Sequence, residues 1–197
     1  ADDRTFSHVQ ESGAPLAIYE TLERPESDTD LRVACRTVRV PAGEVRDLAG
    51  LDAEVDSAQT QLKRAREDGT ETEIREAMTR AKRARAQSTR ASLIAGKSHL
   101  EFEAQAICLG NIAIVAIPGE PFGEIGWEIK RQSPFGHTLF SGYSNGSIWY
   151  IPTAGAFGEG GYETGVSLVA PGAADTIVAE VTGWLGELSE ESGRGSV

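Results

Sequence analysis

Glu120, Tyr150 and Tyr162 are the side chains of this sequence best placed to do chemistry. Glu120 follows an apolar run, Ile112 to Ile117, and the pair Pro118-Gly119. A carboxylate just past the end of a buried strand, with glycine before it, leaves room for a metal or a substrate to approach. Glu120 also precedes Pro121, a residue suited to the first turn of a helix, where a carboxylate is stabilised by the helix dipole. Helix capping is therefore the competing role for Glu120. Tyr150 and Tyr162 lie in polar, glycine-rich sequence, Trp149-Tyr150-Ile151-Pro152-Thr153 and Gly160-Gly161-Tyr162-Glu163. A phenol can ligate a metal as phenolate or donate a hydrogen bond to a developing oxyanion. It can equally pack its ring and turn its hydroxyl to water.

The rest of the inventory is thin. His8, His99 and His137 are the only histidines and show no metal-ligand spacing, whereas a zinc site normally takes three protein ligands. Each reads as a surface or edge residue. No nucleophile elbow or phosphate-binding loop is present, and the glycines at 119, 123 and 126 are wrongly spaced for a dinucleotide turn. The two cysteines, Cys35 and Cys108, sit in strand-like segments and read as small buried hydrophobes; whether they pair is not legible. A net charge of −11 argues against a nucleic-acid or anionic-membrane binder. Neither a signal peptide nor an apolar run long enough to cross a bilayer is visible. The sequence starts at Ala1, which suggests a mature or excised piece and leaves a secreted or cytoplasmic location open.

Strands and helices alternate around these residues. Leu31, Val33 and Cys35 alternate with Arg32 and Arg36, and Val38 and Val40 then break the phase, which predicts a bulge or a strand covered on both faces. Leu51, Val55, Ala58, Leu62 and Ala65 keep the spacing of a helix packed on a helix. With Asp68-Gly69-Thr70 as turn and Ile74, Ala77, Ala81 and Ala84 beyond it, residues 48–95 predict an antiparallel helical hairpin. Its Lys63–Arg66 and Lys82–Arg85 runs are diluted by acids and read as solvated helix face. Leu100 to Cys108 alternates as a half-buried strand, Gly110-Asn111 suits a two-residue hairpin turn, and Ile112 to Ile117 reads as a strand buried on both faces. Phe122, Ile125 and Ile129 predict a helix closed by Ser133-Pro134, followed by a strand over 137–143. Glycine-rich loop is expected over 153–165. Ile177, Val178, Val181, Trp184, Leu185 and Leu188 mark the face of a last helix, and a polar tail is expected to fray from Ser189. Arg24 to Asp28 reads as an exposed loop after a short apolar stretch, Leu16 to Tyr19. The order predicts an α/β (α+β) fold, a layered mixed sheet with flanking helices and the hairpin inserted, in a single domain.

The run from Gly110 to Phe122, with Ile117-Pro118-Gly119-Glu120 at its centre, resembles the neutral/alkaline (non-lysosomal) ceramidases, and more closely bacterial ceramidase-like proteins. Gly142-Tyr143-Ser144-Asn145-Gly146, Tyr150-Ile151-Pro152-Thr153 and Tyr162-Glu163 extend the likeness in order. The resemblance implies a zinc-dependent amidohydrolase of lipid-like N-acyl substrates, with a place in sphingolipid metabolism. It implies Glu120 and Tyr150 as zinc ligands and Tyr162 as the group assisting at the substrate carbonyl. Two further ligands in that family are histidines from an earlier part of the catalytic domain. The chain is thus expected to be a C-terminal portion, inactive alone, whose partner is the N-terminal half or, through the apolar surface left exposed, a second copy. Pro121-Phe122-Gly123-Glu124 departs from the family's Phe-Thr-Thr run, and no histidine lies near 166–171 where the family carries one. A metal hydrolase of another amide or ester is therefore an alternative, as is a non-catalytic module acting through the helical hairpin.

Overall fold

The computed structural model describes residues 30–45 and 47–194. His8, the Leu16–Tyr19 stretch and the loop expected at 24–28 lie outside the described residues. A mixed sheet in the order β1-β2-β3-β5 organises the chain. β1 (Leu31–Pro41), β2 (His99–Leu109) and β3 (Ile112–Ala116) are successively antiparallel, and β5 (His137–Ser141) lies parallel to β3. The β2–β3 turn is Gly110-Asn111, with Leu109 opposite Ile112. Gly110 has φ 54° at the first turn position, where a II′ hairpin turn requires glycine.

α1 (Leu48–Asp68) and α2 (Glu71–Ile94) form the inserted helical hairpin. Thr70 starts α2 with a reciprocal capping box: its hydroxyl accepts from the Glu73 amide and the Glu73 carboxylate accepts from the Thr70 amide. Ala58, Ala77, Ala91 and Ile94 are the buried residues of the hairpin. α3 (Gly123–Gln132) makes the crossover between β3 and β5, and α6 (Ala173–Arg194) packs along β1 and α3. The core joins Val38, Val40, Phe102 and Val115 of the sheet to Ile125 and Ile129 of α3 and Ile177, Val181 and Leu185 of α6. α6 runs through Ser189 to Arg194.

Three strand expectations are corrected. The β1–β2 register is unbroken from Leu31↔Leu109 to Pro41↔His99, without a bulge. Arg32 and Arg36 share the covered face with Val38 and Val40: the Arg32 guanidinium lies over Phe135 and that of Arg36 over Trp184, each 5.5 Å from the ring centroid. Their stems pack as apolar chain while their heads find acceptors, Leu188 O and Gly110 O for Arg32 and Glu187 for Arg36. Leu31, Val33 and Cys35 consequently face the other way. β3 is buried on one face only, since Ile112 and Ile114 are 38% and 40% exposed. With Leu31, Val33, Leu109 and Leu139 they form an apolar sheet face that no described element covers. Cys35 is exposed rather than buried, its thiol donating to Glu103, and Cys108 lies on the opposite face; both are free.

The segment expected as loop over 153–165 contains two short helices, α4 (Ala154–Glu159) and α5 (Tyr162–Val166). They are separated by Gly160 and Gly161, whose φ values of 77° and 130° break the helical path.

Candidate functional site

The candidate residues gather beyond the carboxyl ends of the parallel pair β3 and β5, where open sheets commonly place ligands. β3 ends at Ala116, and Ile117-Pro118-Gly119 carries the chain to β4 (Glu120–Pro121). β4 pairs in parallel with β6 (Tyr150–Ile151), so that Glu120 faces Tyr150 and Pro121 faces Ile151. The Glu120 amide donates to Trp149 O (2.8 Å) and the Phe122 amide to Ile151 O (3.1 Å). This ladder, two residues long, holds the two side chains on one side about 4.8 Å apart at the backbone. Capping is excluded as the role of Glu120, because α3 has Phe122 at its N-cap and no side-chain cap bond.

Gly119 makes the approach possible. Its φ is 97°, and a Cβ at this position would lie 2.7 Å from Trp149 O. Its carbonyl accepts the Tyr143 amide (2.7 Å), which clamps the 142–146 loop against β4. Tyr143, Asn145 and Trp149 all have positive φ, at 53°, 60° and 62°. Non-glycine residues adopt this region at a cost of order 1–3 kcal/mol each, and such residues concentrate at functional sites.

Tyr143 is the member that sequence reasoning missed. The Glu120 carboxylate stands beside this phenol and that of Tyr150 and acts on both. Glu120 first, then lost hydration, push the Tyr143 phenol up to about 12. Tyr150 is raised as well, by Glu120 first, then by lost hydration and by Glu163 and Tyr162. Tyr162 opens α5 and meets Tyr150 edge to face, with ring centroids 6.2 Å apart and planes at 77°. Replacing Glu120 with alanine should therefore lower the alkaline midpoint of Tyr143 toward the ordinary phenol value of 10.0. Ultraviolet titration of tyrosinate against Tyr143→Phe, which isolates that phenol, measures it; an unmoved midpoint would break the proposed link.

Glu120 and Tyr150 form the wall between two clefts. One, of about 330 Å³, has Phe122, Phe140, Gly142 and Tyr143 on its other side. The second, of about 370 Å³, is closed by Ser147, Trp149, Tyr162, Val166 and Ala86 of the helical hairpin. Behind the wall, the fully buried Ser167 donates through its hydroxyl to Tyr150 O (3.0 Å). Arg90 of α2 reaches the same loop, donating to Ser167 O (2.5 Å) and Glu44 O (3.1 Å).

As a metal centre this set is one-sided. Glu120 and Tyr150 offer two hard oxygen donors at a cleft, but no group of three or more His, Cys, Asp or Glu able to hold a metal occurs among the described residues. His99 is exposed at the start of β2, with Nδ1 against Ser98 Oγ (3.0 Å) and Arg39 (3.3 Å). His137 begins β5, at the opposite end of that strand from Gly142. Neither lines a cleft with Glu120, and His8 lies outside the described residues.

No family model matches the sequence, and neither does any curated protein. Among solved structures, the neutral ceramidase from Pseudomonas aeruginosa aligns with a TM-score of 0.44 and 21% identity, over 46% of this chain and 16% of that one. A ceramidase complexed with C2 aligns with a TM-score of 0.43 and 22% identity, over 48% of this chain and 15% of that one. Both matches span less than half of this chain and less than a fifth of theirs, and neither assigns an activity.

Proposed function

We propose that this chain is part of a metal-dependent hydrolase of amide bonds, with Glu120 and Tyr150 as two of the zinc ligands. The observation that supports this reading best is the β4–β6 ladder, which sets a carboxylate and a phenol side by side on a cleft that Tyr162 also lines. The likeness of residues 110–122 and 142–163 to ceramidases supplies the expectation of zinc and of two histidines from a partner half. Zinc, when bound, polarises a carbonyl and lowers the pKa of water. Glu120 gives the site its negative charge and stands beside both phenols, whose pKa values it raises. Tyr150 would ligate as phenolate, its proton leaving to solvent as the metal binds. Tyr162, which lines the second cleft, would donate to the oxygen on which charge develops. Phe122, Phe140 and Trp149 give the clefts apolar walls suited to a lipid-like acyl chain. We place the histidine-bearing half on the uncovered sheet face of Val33, Ile114 and Leu139.

On this reading the chain alone holds zinc weakly and is inactive, because affinity comes from a complete deprotonated ligand set. Once joined to that half, Glu120→Ala and Tyr150→Phe should each weaken zinc by at least about 100-fold, no less than loss of an outer-shell partner costs. Zinc analysis after dialysis against a graded chelator measures this. Unchanged metal content in both variants would overturn the assignment.

A further inference from the structure

The second cleft does not end at Tyr162. It shares Tyr162 and Val166 with a further cleft of about 270 Å³ between α2 and α5, whose other lining residues are Arg83, Gln87, Gly161 and Gly165. That cleft shares Arg83 and Gln87 with a groove of about 350 Å³ between α1 and α2, where Ser57, Gln61 and Arg80 also point inward and Glu54 is the one carboxylate. The sequence of shared residues makes one trough from Glu120, past Tyr162, onto the helical hairpin. Packing does not dictate its open floor, because a Cβ on Gly165 would meet nothing within 4 Å.

The chemistry changes along the trough. Its start is walled by aromatic rings, whereas its hairpin end presents a guanidinium and side-chain amides. Between Arg80 and Arg90 the sequence has five basic residues and no acidic one, in a chain of net charge −11. Arg75 and Arg80 are each paired with the glutamate one turn earlier, Glu71 and Glu76. Arg83 has no carboxylate partner among the described residues, and it is the arginine placed where trough and hairpin meet. A planar guanidinium with five donors, unpaired at the end of a cleft, matches carboxylate or phosphate oxygens.

We propose that this trough is an extended substrate-binding site and that Arg83, assisted by Gln87, binds an anionic group at the far end of the substrate. This rests on the hydrolase reading and narrows it: the substrate is an N-acyl amide with a carboxylate or phosphate remote from the scissile bond. Arg83 is exposed, as its place in the Lys82–Arg85 run implies, and on this reading that exposure leaves it open to the ligand.

Binding tests the idea without zinc or turnover. The N-hexanoyl derivatives of ω-aminododecanoic acid, of ω-aminododecyl phosphate and of the neutral ω-aminododecanol, which carry the head group far from the amide, are titrated into the chain below their micelle concentrations. Amide shifts of Gly161, Gly165 and Val166 report occupancy. At least one anionic ligand should bind about tenfold more tightly than the neutral one, the scale of one charge-assisted pair, and the better anion separates carboxylate from phosphate. Arg83→Ala should bring that ratio to about one, Arg83→Lys should keep part of it as a point charge, and Arg85→Ala, outside the trough, should leave it unchanged. No preference in the unaltered chain, no binding at all, or a preference that survives Arg83→Ala overturns the inference. Loss of zinc dependence elsewhere would instead fall on the hydrolase reading alone.

Discussion

Gly119→Ala should destabilise the protein by about 3 kcal/mol and detach Glu120 from its two phenols. Two costs add. Alanine at φ 97° carries the penalty of left-handed backbone, roughly 1–2 kcal/mol. Its Cβ would also sit 2.7 Å from Trp149 O and 3.0 Å from the Ile148 side chain, and overpacking of this kind costs about 1–3 kcal/mol. The Trp149 carbonyl cannot simply withdraw, because it accepts the Glu120 amide, while the Gly119 carbonyl holds the Tyr143 amide. Relief of the clash therefore opens the β4–β6 ladder or the 142–146 loop. For a chain of this size the melting temperature should fall by roughly 6–12 °C. The Tyr143 midpoint should drop from about 12 in the same variant. A wild-type melting curve with an unmoved Tyr143 midpoint would show that Gly119 is replaceable and that the ladder does not depend on it.

Much of the layered α/β fold was legible because its elements are long enough to show a period. The α6 stripe from Ile177 to Leu188 is buried throughout, and Phe102, Ala104, Ala106 and Cys108 alternate into the core of β2 as their spacing implies. β1 was misread in phase because arginine is counted as a solvent residue. Arg32 and Arg36 are long enough to lay their stems across Phe135 and Trp184 and still reach acceptors, so the strand keeps a single alternation. For β3, an apolar run says that both faces avoid water, not that both are covered within the described residues.

The site was legible residue by residue but not as a geometry. Position after an apolar strand singles out Glu120, and glycine-rich context singles out Tyr150 and Tyr162. The ladder that pairs Glu120 with Tyr150 is two residues long and has no periodicity to read. Tyr143 was hidden for a related reason. Its placement depends on a left-handed backbone at 143, 145 and 149, and only Asn145 belongs to a residue type that favours this conformation. The sequence clue available was a density of turn residues, Gly142 to Gly146, which marks a loop without saying which side chain it aims.

Ile177→Ala should lower stability by about 4 kcal/mol while leaving the site intact, and so separates folding from site geometry. Ile177 is fully buried on α6 within the core cluster that joins this helix to the sheet. Alanine removes three carbons, worth about 2.4 kcal/mol at 0.8 kcal/mol each. The remainder is the cavity term, since sites of this type relax only partly and Ile→Ala changes cost about 2–5 kcal/mol in all. Denaturant midpoints should fall at an unchanged slope, and the melting temperature should drop by about 8–16 °C. The Tyr143 midpoint should stay near 12 below that transition, because Tyr143 and Glu120 belong to the 142–146 loop and β4 rather than to α6. The two variants thus give opposite signatures: Gly119→Ala moves stability and the phenol together, and Ile177→Ala moves stability alone. A loss of less than about 1 kcal/mol at Ile177 would mean that α6 packs too loosely to define the core. A shifted phenol there would mean that the Glu120 ladder is supported from the α6 side of the molecule.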